Sequence, residues 1–515
     1  VVLTTYEHWK EWADHYTVLP YVQSYPLEED RLVSWEMAWK EAIPGSFVLE
    51  SGKGGRYTFL GLHPVSEIRG IGLQATIKDQ EGSLTAVQGA PLELVNRWME
   101  PFRSPIVQGA PKFIGGCVGY WGYDVVRSIE RLPSIASDDL EIPDYAFARF
   151  DKLWVIDHEA KELYCASSYR QPTFPNSASG LERLYREAAI EIGQMKATWD
   201  RIAEANHMEV YTGIRKMMQE KIATDQLRVD LDTIEGIKAN FSKEAYIEAV
   251  NKIQDYIAAG DIFQVNLAVR QHKQLYQSPE SIYEWLRVVN PSPYMAFMRF
   301  SDFQLVSGSP ELLVQLEEGV VRARPIAGTR PRGKDAEGDR RLAEELIHHE
   351  KERAEHIMLV DLVRNDLGRI STYGTVHVKD FMVIEYYSHV MHIVSQVEGQ
   401  LAAGKGAYDV IAATFPGGTI TGAPKIRTMQ IIEELEPTRR GPYTGSIGWI
   451  GYNGNMEFNI VIRTLVVEGG IGYVQAGAGI VIDSIPEKEY AESLNKAKAM
   501  WKAIQYSEWN VQNPV

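Results

Sequence analysis

The chain has 515 residues with a formal net charge of −16, 45% of them hydrophobic and 24% charged. That is the composition of a globular protein of two or three domains with a large core. The acidic balance and the lack of any basic run exclude a nucleic-acid-binding protein, and an anionic substrate would need a local arginine or metal ion to be held.

The two cysteines, Cys117 and Cys165, give neither a metal-ligand spacing nor a disulfide framework. No basic region followed by an apolar run opens the chain and no long apolar stretch occurs later. A cytoplasmic protein without membrane spans is the expectation.

Residues 1–170 read as a smaller α/β domain, with helices over 9–16 and 92–102 and strands over 47–50 and 152–157. Gly52, Gly54 and Gly55 precede Arg56-Tyr57 with no helix start behind them, so they predict a hairpin turn rather than a phosphate loop. Residues 171–180, rich in Pro, Ser, Asn and Thr, predict a loop. A helix follows, with Leu184, Tyr185, Ala188, Ile192, Met195 and Trp199 on one face. Residues 171–240 together form a helical connector and linker, and the second domain spans 241–508.

Ser242 is placed to cap the next helix, whose repeat runs Tyr246, Val250, Ile253, Ile257 until Gly260 stops it. Strands are expected over 261–269, 294–300, 304–307, 445–450, 458–467 and 473–482, and a closing helix over 487–503. One long helix is expected over 340–369, because Leu342, Leu346, His349, Arg353, His356, Leu359 and Val363 recur at steps of three and four. Strand clusters punctuated by long helices, without strict βαβ alternation, predict an α+β fold of layered β-sheets flanked by helices.

Glu352 and Glu355 project from one face of the expected helix, and Glu489 and Glu492 repeat that spacing near the end of the chain. Two helices with inward carboxylate pairs suit one hard divalent cation, although either pair alone is commonly a solvated face. His349-Glu350-Lys351-Glu352-Arg353 begins like a zinc-protease helix but has Arg where the second His belongs, and His356 reads as a packed helical histidine. Residues 417–425 are glycine-rich and end in Lys425 after Pro424, so they are not a nucleotide P-loop.

Residues 242–503 resemble the chorismate-binding domain of the magnesium-dependent chorismate-utilising enzymes. The resemblance rests on Asp261-Ile262-Phe263-Gln264, Gly308-Ser309-Pro310-Glu311, residues 325–330, Glu352-Arg353-Ala354-Glu355-His356, residues 389–395, Gly422-Ala423-Pro424-Lys425, Ile462-Arg463-Thr464 and Ala476-Gly477-Ala478-Gly479. The N-terminal part is similar to the companion domain of the ammonia-using members through Leu49-Glu50-Ser51 and Arg56-Tyr57. The resemblance implies the chorismate-binding-enzyme fold and a site in which Glu352, Glu355, Glu489 and Glu492 hold Mg²⁺. It assigns Arg463 to the enolpyruvyl carboxylate, a task that suits a bidentate guanidinium. It places Ala327, Gly328, Thr329, Tyr443, Gly477, Gly479 and Lys496 at substrate-binding positions, and Thr419 and His392 beside the reacting ring.

Glu311 matches the general acid that protonates the departing C4 hydroxyl, which requires a raised pKa. Gln264 stands where water-adding members carry a lysine base, and an amide takes no proton near neutral pH. An isochorismate or salicylate synthase is therefore disfavoured. The resemblance implies ammonia as nucleophile, supplied by a partner glutaminase subunit. The intact set of Glu311, Glu352, Arg463 and Glu492 argues against a catalytically dead relative.

Two products remain. Ala327 carries no nucleophile and favours anthranilate, because many C4-aminating members use a lysine there. Gly54-Gly55-Arg56-Tyr57, Asp138-Asp139-Leu140, residues 263–267 and residues 457–463 instead resemble the aminodeoxychorismate-forming members of Bacillus type. The longer resemblance outweighs the single residue, so 4-amino-4-deoxychorismate is the expected product and anthranilate the alternative. Leu49, Glu50 and Ser51 with Pro291, Tyr294 and Met295 resemble the family's tryptophan-binding stretches.

Overall fold

The computed structural model describes residues 1–52, 54–170, 178–225, 234–386 and 390–512. Its described strands form two twelve-stranded antiparallel sheets, in each of which eleven strands follow one path and a twelfth pairs off it, Gly422–Ala423 beside Gln264–Gln274 in the first and His377–Tyr386 beside Val390–Gln400 in the second. In the first sheet the order runs Val18–Pro26, Glu162–Arg170, Lys152–Asp157, Tyr57–Gly61, Ser46–Glu50, Tyr294–Arg299, Phe303–Ser309, Thr464–Glu468, Ile471–Ile480, Gln264–Gln274, Lys238–Ala239. In the second it runs Ile326–Pro331, Val390–Gln400, Val320–Ala323, Leu312–Glu317, Met456–Asn459, Ser446–Gly451, Gly116–Trp121, Tyr145–Phe150, Ser66–Ile71, Gln74–Lys78, Leu84–Gln88.

The sheets pack face to face. Phe47, Phe59, Ala296, Met298 and Leu305 of the first meet Val118, Tyr120, Ala146, Ile447 and Trp449 of the second in one buried cluster. The outer face of the first sheet is covered by the helices Ala178–Ala203, Pro279–Val289 and Pro486–Gln512. The helices Pro91–Met99, Glu350–Gly368 and Ala407–Thr414 cover the second. The result is four layers, helix–sheet–sheet–helix, which is the α+β layering expected. Strands such as Gly116–Trp121 are buried at every position, because both of their faces are covered.

Both sheets run through the two sequence segments. Ser46–Glu50 pairs with Tyr294–Arg299, and Gly116–Trp121 pairs with Ser446–Gly451. Among the described residues, no helix is long and apolar enough to cross a membrane.

Several local expectations are met in place. Ser242 accepts from the Ala245 amide at the start of the helix Lys243–Ala258, and Gly260 follows it at φ +82°. Others are corrected. The expected single helix over 340–369 is two, Ala336–His348 and Glu350–Gly368. His349 leaves helical geometry at ψ 113°, and its imidazole accepts from the Glu352 amide, capping the second helix. The expected strand over 458–467 is two strands in different sheets, Met456–Asn459 and Thr464–Glu468. The strand expected over 261–269 begins at Gln264 and runs to Gln274. Of the loop expected over 171–180, residues 171–177 lie outside the described residues and Ala178 already opens a helix. Part of the expected linker, 226–233, and His389 also lie outside them.

Two crossings between the sheets run side by side, and they set up the site. Phe303–Ser309 leaves the first sheet and Leu312–Glu317 enters the second, with Pro310-Glu311 between them. Met456–Asn459 leaves the second and Thr464–Glu468 enters the first, with residues 460–463 between them. The crossings are tied by the Ile460 amide donating to the Glu311 carbonyl at 3.0 Å and the Ser309 hydroxyl donating to the Ile460 carbonyl at 2.6 Å. The Gly308 amide donates to the Arg463 carbonyl at 3.0 Å.

Candidate functional site

Each crossing delivers one charged side chain. Glu311 is 8% exposed, and burial pushes its carboxyl up to about 7. The Thr419 hydroxyl donates to its Oε1 at 3.0 Å and pulls the other way, as do the charges of Arg463 and Lys496. A carboxyl so placed is a proton donor near neutral pH. It lines a small cavity with Gly417, Gly418, Thr419 and Ile460. Arg463 adopts φ +50°, a conformation costly for a side-chain-bearing residue, at the point where its strand enters the first sheet.

The floor of the site is the pairing of Gln264–Gln274 with Ile471–Ile480, in which Asn266 faces Gly479 and Ala268 faces Gly477. Close approach of backbone requires the glycine at 477, where a Cβ would lie 2.7 Å from the Leu267 carbonyl, whereas at 479 a Cβ meets only the Gln264 side chain. A Cβ on Gly479 would lie 2.4 Å from the Gln264 Nε2, and one on Gly477 would lie 2.5 Å from the Asn266 Oδ1. Lys496, from the closing helix, donates to the Gly477 carbonyl at 3.0 Å. Tyr443 is buried nearby over the Arg440 guanidinium, and burial raises its phenol.

The rim is the pairing of Ile326–Pro331 with Val390–Gln400, which slips by a bulge at Gly328. Gly328 has φ +68°, and a Cβ there would meet Glu352 Oε2 and Leu346 Cδ1 at 3.0 Å. Across the bulge, the His392 Nδ1 lies 3.1 Å from the Thr329 hydroxyl and 3.0 Å from the Gly328 carbonyl. Burial lowers the His392 pKa, and Arg463 adds to that effect. Ala327, one residue before the bulge, is 8% exposed.

The four acidic residues come from the two helices as expected, and their fields overlap. Burial raises Glu355, and the charges of Glu352 on its own helix and Glu492 on the other raise it further. Burial likewise raises Glu489, with Glu492 adding to it. Among the described residues, no three His, Cys, Asp or Glu side chains converge into a ready metal cluster. The reason is visible. Glu352 Oε1 accepts from Arg330 at 3.1 Å, Glu492 pairs with Lys496 at 2.9 Å, and Glu355 Oε1 accepts from the Gln264 amide at 3.4 Å. The donor chemistry, hard carboxylate oxygens whose mutual repulsion adds to the raised pKa of Glu355 and Glu489, still fits a hard divalent cation.

Leu49, Glu50, Ser51, Tyr294 and Met295 line one small cavity between the sheets, with Trp449 and Asn459 opposite. Pro291 does not line it and packs behind Gly52. Glu50 faces the helix Pro279–Val289: Arg287 donates to both of its oxygens at 2.9 Å, and Trp35 and Tyr283 donate to its Oε2.

Sequence reasoning missed Arg330, which holds Glu352 and also donates to Glu345 at 2.9 Å. Its place follows from the pairing of Ile326–Pro331 with Val390–Gln400, where the bulge at Gly328 breaks the two-residue side-chain alternation on which a sequence pattern relies. It also missed the pair of His356 Nε2 and the Ser395 hydroxyl at 2.6 Å, which ties that helix to the strand of His392. His356 is fully buried, and burial lowers it to about 4, as suits a packed neutral imidazole.

Comparison with known proteins places this arrangement. The family described as chorismate binding enzyme matches residues 45–502. The chain is 45% identical over 483 residues to aminodeoxychorismate synthase component 1 of Bacillus subtilis, covering 94% of this chain and 96% of that protein. It is 39% identical over 505 residues to anthranilate synthase component 1 of Acetivibrio thermocellus, covering 97% and 98%. The crystal structure of anthranilate synthase component I from Streptococcus pneumoniae superposes with a TM-score of 0.68 at 32% identity, over 87% of this chain and 92% of that one.

Proposed function

This chain belongs to the chorismate-binding enzyme family, and from that membership we propose that it aminates chorismate at C4, giving 4-amino-4-deoxychorismate and water. The observation that carries the reading is Glu311, a buried carboxyl raised to about 7 beside Thr419 and within the field of Arg463. It gives its proton to the C4 hydroxyl, so that the C4–O bond breaks with water leaving and not hydroxide. Arg463 binds a carboxylate of the substrate through its fork, and the glycine floor at Gly477 and Gly479 lets the ring lie close to the backbone. His392 and Thr329 orient the rim.

Gln264 holds no base, so the nucleophile arrives competent, as ammonia does. The nitrogen forms the new bond and loses one proton after it. A glutaminase subunit supplies that ammonia; the relatives' names as component 1 support a second component. Glu352, Glu355, Glu489 and Glu492 would hold a Mg²⁺ ion, which when bound neutralises the substrate carboxylate and fixes its orientation.

C4 amination follows the similarity to the Bacillus subtilis protein. The second reading is anthranilate formation, favoured by Ala327, which offers no side-chain amine for a covalent adduct. One assay decides: chorismate, Mg²⁺ and excess ammonium, with chromatography before and after an added lyase that cleaves the aminodeoxy compound. A lyase-dependent 4-aminobenzoate peak is expected. Anthranilate alone overturns the C4 assignment, and isochorismate or salicylate overturns the amination. The cavity at Leu49, Ser51, Tyr294 and Met295 is read as a tryptophan site, and a calorimetric titration of stripped protein that gives no heat with tryptophan removes that reading.

A further inference from the structure

Arg330 sits between two helices and two carboxylates. Its Nη1 donates to Glu352 Oε1 at 3.1 Å and to the Thr329 carbonyl at 2.9 Å, and its Nε donates to Glu345 Oε1 at 2.9 Å. The Arg330 and Glu352 side chains are 18% and 23% exposed, so solvent screens their pair only partly. The companion pair of Lys496 and Glu492 is about half exposed and correspondingly weak. Glu352 lies one helical turn from Glu355, and its other oxygen faces the Gly328 bulge.

We propose that Arg330 is an internal competitor for the cation site, occupying the Glu352 carboxylate until a divalent ion takes its place. This rests on the magnesium reading above. Glu352 has two groups of opposite demand. Paired with Arg330, its carboxylate is committed to the guanidinium and the strand. Released, it is one turn from Glu355, which in turn lies within the field of Glu492 on the closing helix. Arg330 loses little on release, because Glu345 and the Thr329 carbonyl keep it in place. The affinity for the cation is therefore set below what four carboxylates alone would give.

The test is calorimetric titration of the whole chain with MgCl₂, in the absence of chorismate, for the parent, Arg330→Gln and Arg330→Lys. Losing the guanidinium frees Glu352, so Arg330→Gln is expected to bind Mg²⁺ about two- to fivefold more tightly, the range of a partly screened ion pair. Arg330→Lys keeps the charge but cannot span Glu345 and Glu352 with one planar fork. It is expected to tighten binding as well, by a smaller factor.

General damage to the fold loosens a metal site, so tighter binding is a readout that a merely structural role does not produce. Weaker or unchanged binding in Arg330→Lys overturns the proposal, and so does weaker binding in Arg330→Gln with an intact circular dichroism spectrum. If the parent itself takes up no Mg²⁺, the magnesium reading fails first and the proposal falls with it, whereas a binding parent with unaltered variants sinks the proposal alone.

Discussion

Glu311 joins three scales of cause in one carboxyl. It stands in a two-residue crossing between sheets, it is buried among Gly417, Gly418, Thr419 and Ile460, and burial raises its pKa to about 7. The acid must be protonated to act, so turnover should fall as pH rises through about 7, and a pH profile of kcat/KM with ammonium in excess reads this. Glu311→Gln should lose most of kcat with little change in KM; a change confined to KM points to binding instead. The same shift has a stability consequence. The folded chain binds this proton more tightly than the unfolded one, so the contribution is present below about 4.5 and lost as pH climbs through about 7. Glu311→Gln should remove that loss, on the order of 3 kcal/mol at pH 8, and melting curves of parent and variant at pH 5 and pH 8 measure it. Thr419 supplies the opposing force, because its hydroxyl stabilises the ionised form. Thr419→Ala should therefore move the alkaline limb to higher pH, and a limb that stays or moves down refutes the pairing.

At the scale of elements, what could be read from sequence is what depends on neighbours along the chain. Ser242 and Gly260 bound their helix where local capping places them. The repeat through Leu342, Leu346 and Leu359 spoke for helix on both sides of His349, and it missed only the cap that divides the two. The crossings were not legible. The run over 458–467 is mostly apolar, broken by Asn459, Arg463 and Thr464, and only the partners of its two ends, Leu312–Glu317 and Phe303–Ser309, decide that it changes sheets. The acidic pairs were legible as pairs, and the Lys496 partner of Glu492 is local, four residues on along the same helix, whereas the Arg330 partner of Glu352 follows from tertiary contact. The same holds for Glu50. Its stretch was read as a ligand site, yet its carboxylate is committed to Arg287 across strand and helix. Arg287→Leu should cost about 3–5 kcal/mol by leaving a buried carboxylate unpaired, and adding Glu50→Leu should restore much of that loss. Thermal midpoints of the two variants test this, and a double variant less stable than the single one defeats it.

For the molecule as a whole, both sheets are shared between early and late sequence. Met295–Arg299 pairs residue by residue with the strand Ser46–Glu50, and Ser446–Gly451 does so with Gly116–Trp121. Between the sheets, Phe47, Val118 and Tyr120 from the early part interlock with Ala296, Leu305 and Trp449 from the late part. Most residues assigned to chemistry nevertheless lie after Gln264, so a fragment of residues 241–515 carries the proposed catalytic set without the first 240 residues. Sequence motifs alone would expect that fragment to work. The sheet pairing argues the reverse. Cutting there strips a neighbour from a central strand in each sheet and opens an apolar face between them, which exposes unpaired backbone in a form prone to edge-to-edge association. The fragment should aggregate on expression and turn over no chorismate with ammonium, and supplying residues 1–240 as a second chain should recover soluble protein. A monodisperse and active fragment 241–515 would show that the late strands close their own sheets, and that Glu311 and Arg463 are positioned without the strands that flank them here.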